Sequence, residues 1–350
     1  MKVFRSPENP LIEPKDIKPS RDDFEVIGVF NAGVARFGEE IILLLRVAER
    51  PINHNLRIVL TAVYDVVADE FIIKEFPVDS AENDYTDPRL IITPEQTYLT
   101  SVSHLRLARS KDGIIFHIKE TPSIKAANKY ETFGLEDPRI ALINSTYYIS
   151  YVSVSPIGVT TSLISTGDFE SFHRHGVIYC PDNKDVVLFP EKIEGKYYSL
   201  HRPVSGLFKK QHIWIAESTD LVCWGNHRNL MKPGAGYWDE VKIGAGAVPV
   251  RVEQGWLEIY HGVNSNNVYS LGAVLLDGRE PWKVTAISEK PILEPQTDYE
   301  CSGFFGNVVF SCGLLCEEDK LKMYYGAADT SICYAEISLT ETIQYLRHKD

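Results

Sequence analysis

Long apolar stretches are missing from this chain of 350 residues, and the longest, Ile41-Ile42-Leu43-Leu44-Leu45, is far too short for a membrane helix. Positive charge is scarce as well. With 36 Lys and Arg against 48 Asp and Glu, the formal net charge of −12 excludes the basic footprint that a nucleic-acid or anionic-membrane partner requires. Only six cysteines occur, scattered from Cys180 to Cys333, too sparse for a disulfide framework, so they are expected as reduced core thiols. Cys312, Cys316 and His261 lack a CxxC or paired-histidine spacing, so no metal site is expected. The first residues, Met1-Lys2-Val3-Phe4-Arg5-Ser6-Pro7, carry no apolar signal core. That points to the cytoplasm and leaves Asn144-Ser145-Thr146 as an unmodified hairpin turn. Helical periodicity is nearly absent outside 338–347, where Ser338 or Thr340 can cap a short helix. No Gly/Ser-rich linker divides the sequence, so residues 1–350 are expected to form one domain.

What is present is a recurrence: a polar or small opening motif, a short apolar strand, a turn and an aromatic-rich strand, at a period of roughly fifty to sixty residues. Phe30-Asn31-Ala32-Gly33 leads into Ile41 to Arg46, and Thr86-Asp87-Pro88-Arg89 into Tyr98 to Val102. Glu136-Asp137-Pro138-Arg139 leads into Tyr147 to Tyr151, and Phe189-Pro190-Glu191-Lys192 into Lys196 to Arg202. Gly244-Ala245-Gly246-Ala247 precedes Trp256 to His261, and Gly306-Asn307-Val308-Val309 precedes Leu321 to Tyr325. Each unit has material for about four short antiparallel strands, the signature of an all-β propeller. In a propeller the innermost strands converge on one channel, so polar residues far apart in sequence meet in one pocket.

The polar blade ends mix carboxylates able to protonate a leaving oxygen with cations and hydrogen-bonding groups suited to an oxyanion. In Gly134-Leu135-Glu136-Asp137-Pro138-Arg139, Pro138 is expected to bias Asp137 towards an extended backbone and so to aim its side chain. An Asp137–Arg139 pair that merely seals a turn is the plainer alternative. Lys242 lies beside Gly244 and Gly246, which permit a close backbone approach to a ligand. His261 reads equally as a satisfied core histidine. Trp214, Trp238, Trp256 and Tyr325 are aromatic faces that could stack on sugars, although most propeller aromatics are core.

As an ordered set, Phe30-Asn31-Ala32-Gly33, Leu45-Arg46, Gly134 to Arg139, Val187 to Lys192, Leu200-His201-Arg202-Pro203, Trp238 to Gly244 and Tyr324 to Thr330 resemble glycoside hydrolase family 130. That family comprises the β-mannoside phosphorylases and β-mannosidases, and the resemblance covers nearly the whole chain. It implies a five-bladed propeller with a central active-site channel, so one of the six opening motifs starts no blade of its own. It implies that Asp137 is the proton donor, acting through the 3-hydroxyl of the bound mannose. Asn31, Arg46 and Asp329 match residues that hold that mannose, and Asp87 and Arg139 are grouped with them as substrate contacts. Arg202, Lys242 and Lys184 correspond to the phosphate-binding cations, with His261 and Tyr325 as hydrogen-bonding neighbours. Lys184 and Asp185 depart from the arginine and asparagine found elsewhere in the family, which weakens the expected grip on phosphate.

The resemblance therefore implies inverting phosphorolysis of β-mannosides, of the β-1,2-linked branch on the Asn31-Ala32-Gly33 and Leu200 to Pro203 variants, giving α-mannose 1-phosphate and a shortened acceptor. Phosphate is a co-substrate, and no cofactor is implied. Two rivals stand beside it: an inverting β-mannosidase using Glu191 or Glu240 to guide water, and a non-catalytic sugar-binding propeller. Mouth loops at 126–132 and 206–211 are expected to set acceptor and chain-length preference. Oligomeric state is left open, a homo-oligomer included.

Overall fold

The computed structural model describes residues 1–207 and 210–348; Phe208 and Lys209, inside the second of those mouth loops, lie outside them. Five antiparallel sheets succeed one another along the chain as the blades of a propeller. Blade I comprises Phe24–Phe37, Glu40–Pro51, Val102–Ser110 and His117–Ile118, and blade II Leu135–Ile143, Thr146–Ser155, Gly158–Thr166 and His173–Tyr179. Blade III comprises Asn183–Leu188, Tyr197–Pro203, Ile213–Ser218 and Trp224–Met231. Blade IV is built on Lys242–Ala245, Gly255–Val263, Tyr269–Leu276 and Val284–Ile287, with Arg347–His348 added at its outer edge. Blade V comprises Val309–Glu317, Lys320–Ala327 and Ser331–Ser338, and its outer strand is Val3–Arg5 from the opposite end of the chain.

One apolar layer fills each gap between neighbouring blades. Strand residues alternate between the two faces of their sheet, so Ile42 and Leu44 pack towards blade II while Ile41, Leu43 and Leu45 pack towards blade V. A run buried on both faces reads as continuous apolar sequence for this reason. The helix Leu339–Tyr345 is capped by Ser338, whose hydroxyl accepts from the Glu341 N–H at 3.1 Å. Thr340 plays no such part. Asn144 and Ser145 both take positive φ in the hairpin turn of blade II.

The superfluous opening motif is Thr86-Asp87-Pro88-Arg89. It falls in an excursion between the second and third strands of blade I, which pair directly with each other across it. The excursion forms two hairpins of its own, Ile58–Asp65 with Glu70–Pro77 and Leu90–Ile92 with Thr97–Leu99. Ile91 and Tyr98 pack there on Phe133, Val152 and Val154 at the end of blade II. The cysteines are all unpaired, but Cys180, Cys223 and Cys316 are exposed, because they sit at strand ends and on an outward-facing strand position. Among the described residues no helix is long and apolar enough to cross a membrane.

Candidate active site

Three inner strands share one device. The ladders of blades I, II and III slip at Phe30/Gly33, Glu136/Arg139 and Lys184/Val187, and each slip carries a residue in the left-handed region: Asn31 (φ 50°), Asp137 (φ 49°) and Asp185 (φ 54°). Bulges re-aim side chains, and Asn and Asp are the non-glycine residues that enter this region most readily. All three side chains face one axial cavity of about 350 Å³. Pro138 therefore does not leave Asp137 extended as the sequence suggests; the bulge overrides the pre-proline bias.

The cavity gathers Asn31, Arg46, Asp137, Lys184, Arg202, Lys242, His261 and Asp329, eight of the eleven residues singled out from the sequence. On one side, Asp137 Oδ1 accepts from Asn31 Nδ2 and from Arg46 Nη1, both at 2.9 Å. Arg46 Nη2 reaches Glu136 at 2.7 Å, and Lys184 Nζ lies 3.8 Å from the other oxygen of Glu136. Burial pushes the Asp137 carboxyl upward, but Arg46, Arg139 and the Asn31 hydrogen bond outweigh it and hold the group below its ordinary range. Asp329 moves the other way: burial raises it to about 6 despite Arg46, with Asp137 and Glu136 adding to the rise.

On the other side, buried Asp185 organises the cations. Its carboxylate lies 2.6 Å from Arg202 Nε, 3.2 Å from Arg139 Nη2 and 3.4 Å from His261 Nε2. Burial alone would raise this carboxyl, yet the guanidinium groups of Arg202 and Arg139 outweigh it and keep it well below the usual range. Arg202 also donates to Gln211. Burial, reinforced by Arg202, lowers the Lys242 ammonium to about 8, and its Nζ sits 4.8 Å from the centre of the Tyr269 ring. His261 is pushed down to about 3 by burial and is neutral, a hydrogen-bonding group rather than a cation.

Three expected contacts lie elsewhere. Tyr325 points into the apolar layer between blades IV and V, where its hydroxyl donates to Glu300 at 2.7 Å; Tyr324, one residue earlier, faces blade I. The tyrosine of the cavity is Tyr269. It pairs with Val263, two residues beyond His261, and no sequence motif marked it. Arg139 lies behind the wall, donating to the carbonyls of Gly246 (2.8 Å), Ala245 (3.0 Å) and Asp137 (3.1 Å). It thus ties blade II to blade IV and does not pair with the Asp137 carboxylate. Asp87 does not line the cavity either, although its neighbour Arg89 does. Gly244 gives close approach not to a ligand but to Asp185 and His261, whose atoms a Cβ would meet at 2.1 and 2.4 Å. Glu191 is exposed, Glu240 accepts from the Ser265 N–H at 3.2 Å, and neither lines the cavity. Nor do Trp214, Trp238 and Trp256.

Comparison with known proteins agrees with the propeller fold. The chain is 46% identical over 350 residues to a beta-1,2-mannobiose phosphorylase of Listeria innocua, covering 99% of both chains. The solved structure of a Listeria innocua beta-1,2-mannobiose phosphorylase with beta-1,2-mannobiose superposes with a TM-score of 0.96, again over 99% of each. A 1,2-beta-oligomannan phosphorylase of Thermoanaerobacter sp. is 40% identical over 253 residues, 71% of this chain and 83% of that one. The family model described as beta-1,4-mannooligosaccharide phosphorylase matches residues 87–348. With near-complete coverage by one relative and a family match over most of the chain, the protein belongs to glycoside hydrolase family 130.

Proposed function

We propose that the protein is an inverting phosphorylase of β-1,2-linked manno-oligosaccharides, releasing α-mannose 1-phosphate and a shortened acceptor. The observation that carries this reading is the company Asp137 keeps: Lys184, Arg202 and Lys242 line the same cavity, whereas Glu191 and Glu240 do not. Phosphate needs no general base, only neutralisation and alignment, and a cation cluster provides both. Water would need a second free carboxylate about 6.5–9.5 Å from the acid. Of the other carboxylates in the cavity, Asp185 is committed to two guanidinium groups, Glu136 to Arg46, and Asp329 to the terminal mannose.

In this reading Asn31, Arg46 and Asp329 hold the terminal mannose, and Asp137 passes a proton through its 3-hydroxyl to the leaving oxygen. Sugar hydroxyls compete for Arg46 while the bound phosphate adds negative charge, and both raise Asp137 towards the protonated form it needs. His261 donates or accepts as a neutral imidazole, and Tyr269 flanks Lys242.

The test is incubation with β-1,2-mannobiose with and without phosphate, following mannose 1-phosphate. Product is expected only with phosphate, and equal mannose release in both buffers would replace this reading with a hydrolase. D137N should lower kcat by about a thousandfold with little change in KM, as loss of a general acid does. D329N should act mainly on KM. The reverse pattern would transfer the donor role to Asp329, whose carboxyl keeps its proton more readily in the empty site.

A further inference from the structure

We propose that Arg89, held in place by Asp87, binds the leaving sugar at the cavity mouth and so helps to decide which acceptors the enzyme takes. This inference rests on the phosphorylase reading above and extends it to the residue's role outside the mannose pocket. Arg89 belongs to no blade. It stands on the second hairpin of the excursion, where its carbonyl accepts from the Thr100 N–H at 2.9 Å, and the Thr100 hydroxyl donates to the Pro88 carbonyl at 2.9 Å. The backbone that presents the side chain is thereby fixed on both sides.

Asp87 orients the guanidinium. Its carboxylate receives Arg89 Nε at 2.9 Å and Nη2 at 2.7 Å, while the Arg89 backbone N–H donates to it at 3.0 Å. The guanidinium carbon lies 5.4 Å from the centre of the Phe305 ring. Nη1 has no hydrogen-bond partner among the described residues and is left to donate.

Two observations direct this group towards a neutral sugar rather than phosphate. The first is depth: the Arg89 side chain is 50% exposed, against 17% for Arg46, 8% for Arg202 and 1% for His261. A terminal mannose that fills the closed end leaves its departing partner at the open end, where Arg89 stands. The second is charge. The forked Asp87 pair neutralises Arg89, so it offers a donor edge beside an acceptor edge, which matches neighbouring hydroxyls better than an oxyanion. Phe304, which lines the same mouth and is 43% exposed, presents an aromatic face of the kind that stacks on sugar rings.

The experiment is synthesis in reverse, from α-mannose 1-phosphate and mannose as acceptor, with wild type, R89A and D87N. Loss of a charge-assisted hydrogen bond should raise the acceptor KM of R89A by about tenfold, with the KM for α-mannose 1-phosphate unchanged within twofold. D87N should raise the acceptor KM in the same direction by a smaller factor. A rise in the KM for α-mannose 1-phosphate equal to that for acceptor would move Arg89 into the oxyanion cradle and overturn the assignment. So would two unchanged KM values. Should wild type prove phosphate-independent, the phosphorylase reading falls while this one is still decided by mannobiose hydrolysis: a raised KM in R89A supports it, an unchanged one ends it.

Discussion

Lys242 loses its charge more easily than an ordinary lysine. Lowered to about 8 by burial and Arg202, it is charged below that pH and loses its proton above it. If it helps to hold phosphate, kcat/KM for phosphate should stay level up to about pH 8 and fall by about tenfold per unit beyond. K242R keeps its charge throughout and should flatten that alkaline limb; an identical limb in K242R would mean that another group titrates. At this scale the residue types pointed to Asp137 and Lys242, which do share the cavity, but the backbone reasons read from the sequence did not hold: a bulge and not Pro138 turns Asp137, and Gly244 makes room for Asp185 and His261. It was not readable at Tyr324-Tyr325, where two adjacent tyrosines face opposite layers and neither reaches the cavity. Nor did Asp185 disclose itself: next to Lys184 it looks like a charge opposed to phosphate, and only the fold surrounds it with Arg139, Arg202 and His261.

Among elements, the bulged inner strands and the edge of blade IV have to fit each other. Gly244 is where they touch, and its missing side chain makes room for the Asp185 carboxylate and the His261 ring. G244A should cost about 1–3 kcal/mol through overpacking and should raise the KM for phosphate by disturbing Arg202 through Asp185. Thermal unfolding and steady-state kinetics read the two effects separately. Gly225→Ala, where nothing lies within 4 Å of the added carbon, is the control. Strand alternation and the turn at Asn144-Ser145 were legible because period and turn chemistry are local. The excursion was not. Thr86 to Arg89 has the composition of a blade opening, and what disqualifies it is the pairing of Glu40–Pro51 with Val102–Ser110, a contact between strands fifty residues apart.

The whole molecule is a ring closed by pairing Val3–Arg5 with Ser331–Ser338. Arg5 strengthens the seam, its Nε lying 2.8 Å from the buried Glu300 carboxylate, which also accepts from Tyr325. R5A takes the cation from that carboxylate, which keeps Tyr325 and the Gln296 and Thr297 N–H groups, and should lower stability by about 2 kcal/mol, read as a drop in the unfolding temperature. The same variant should retain wild-type kcat and KM at 25 °C, because neither Arg5 nor Glu300 reaches the axial cavity. The number of blades followed from family resemblance, whereas the seam joins segments whose sequences carry no common mark.

That seam also sets an order of events during synthesis. Val3–Arg5 leaves the ribosome hundreds of residues ahead of the strand it must join, and Asp329, on the far wall of the pocket, is translated just before that strand. Nascent chains therefore hold neither a shut circle nor an intact sugar site until Ser331–Ser338 has emerged, and a chain that stops short of Asp329 yields no partial enzyme.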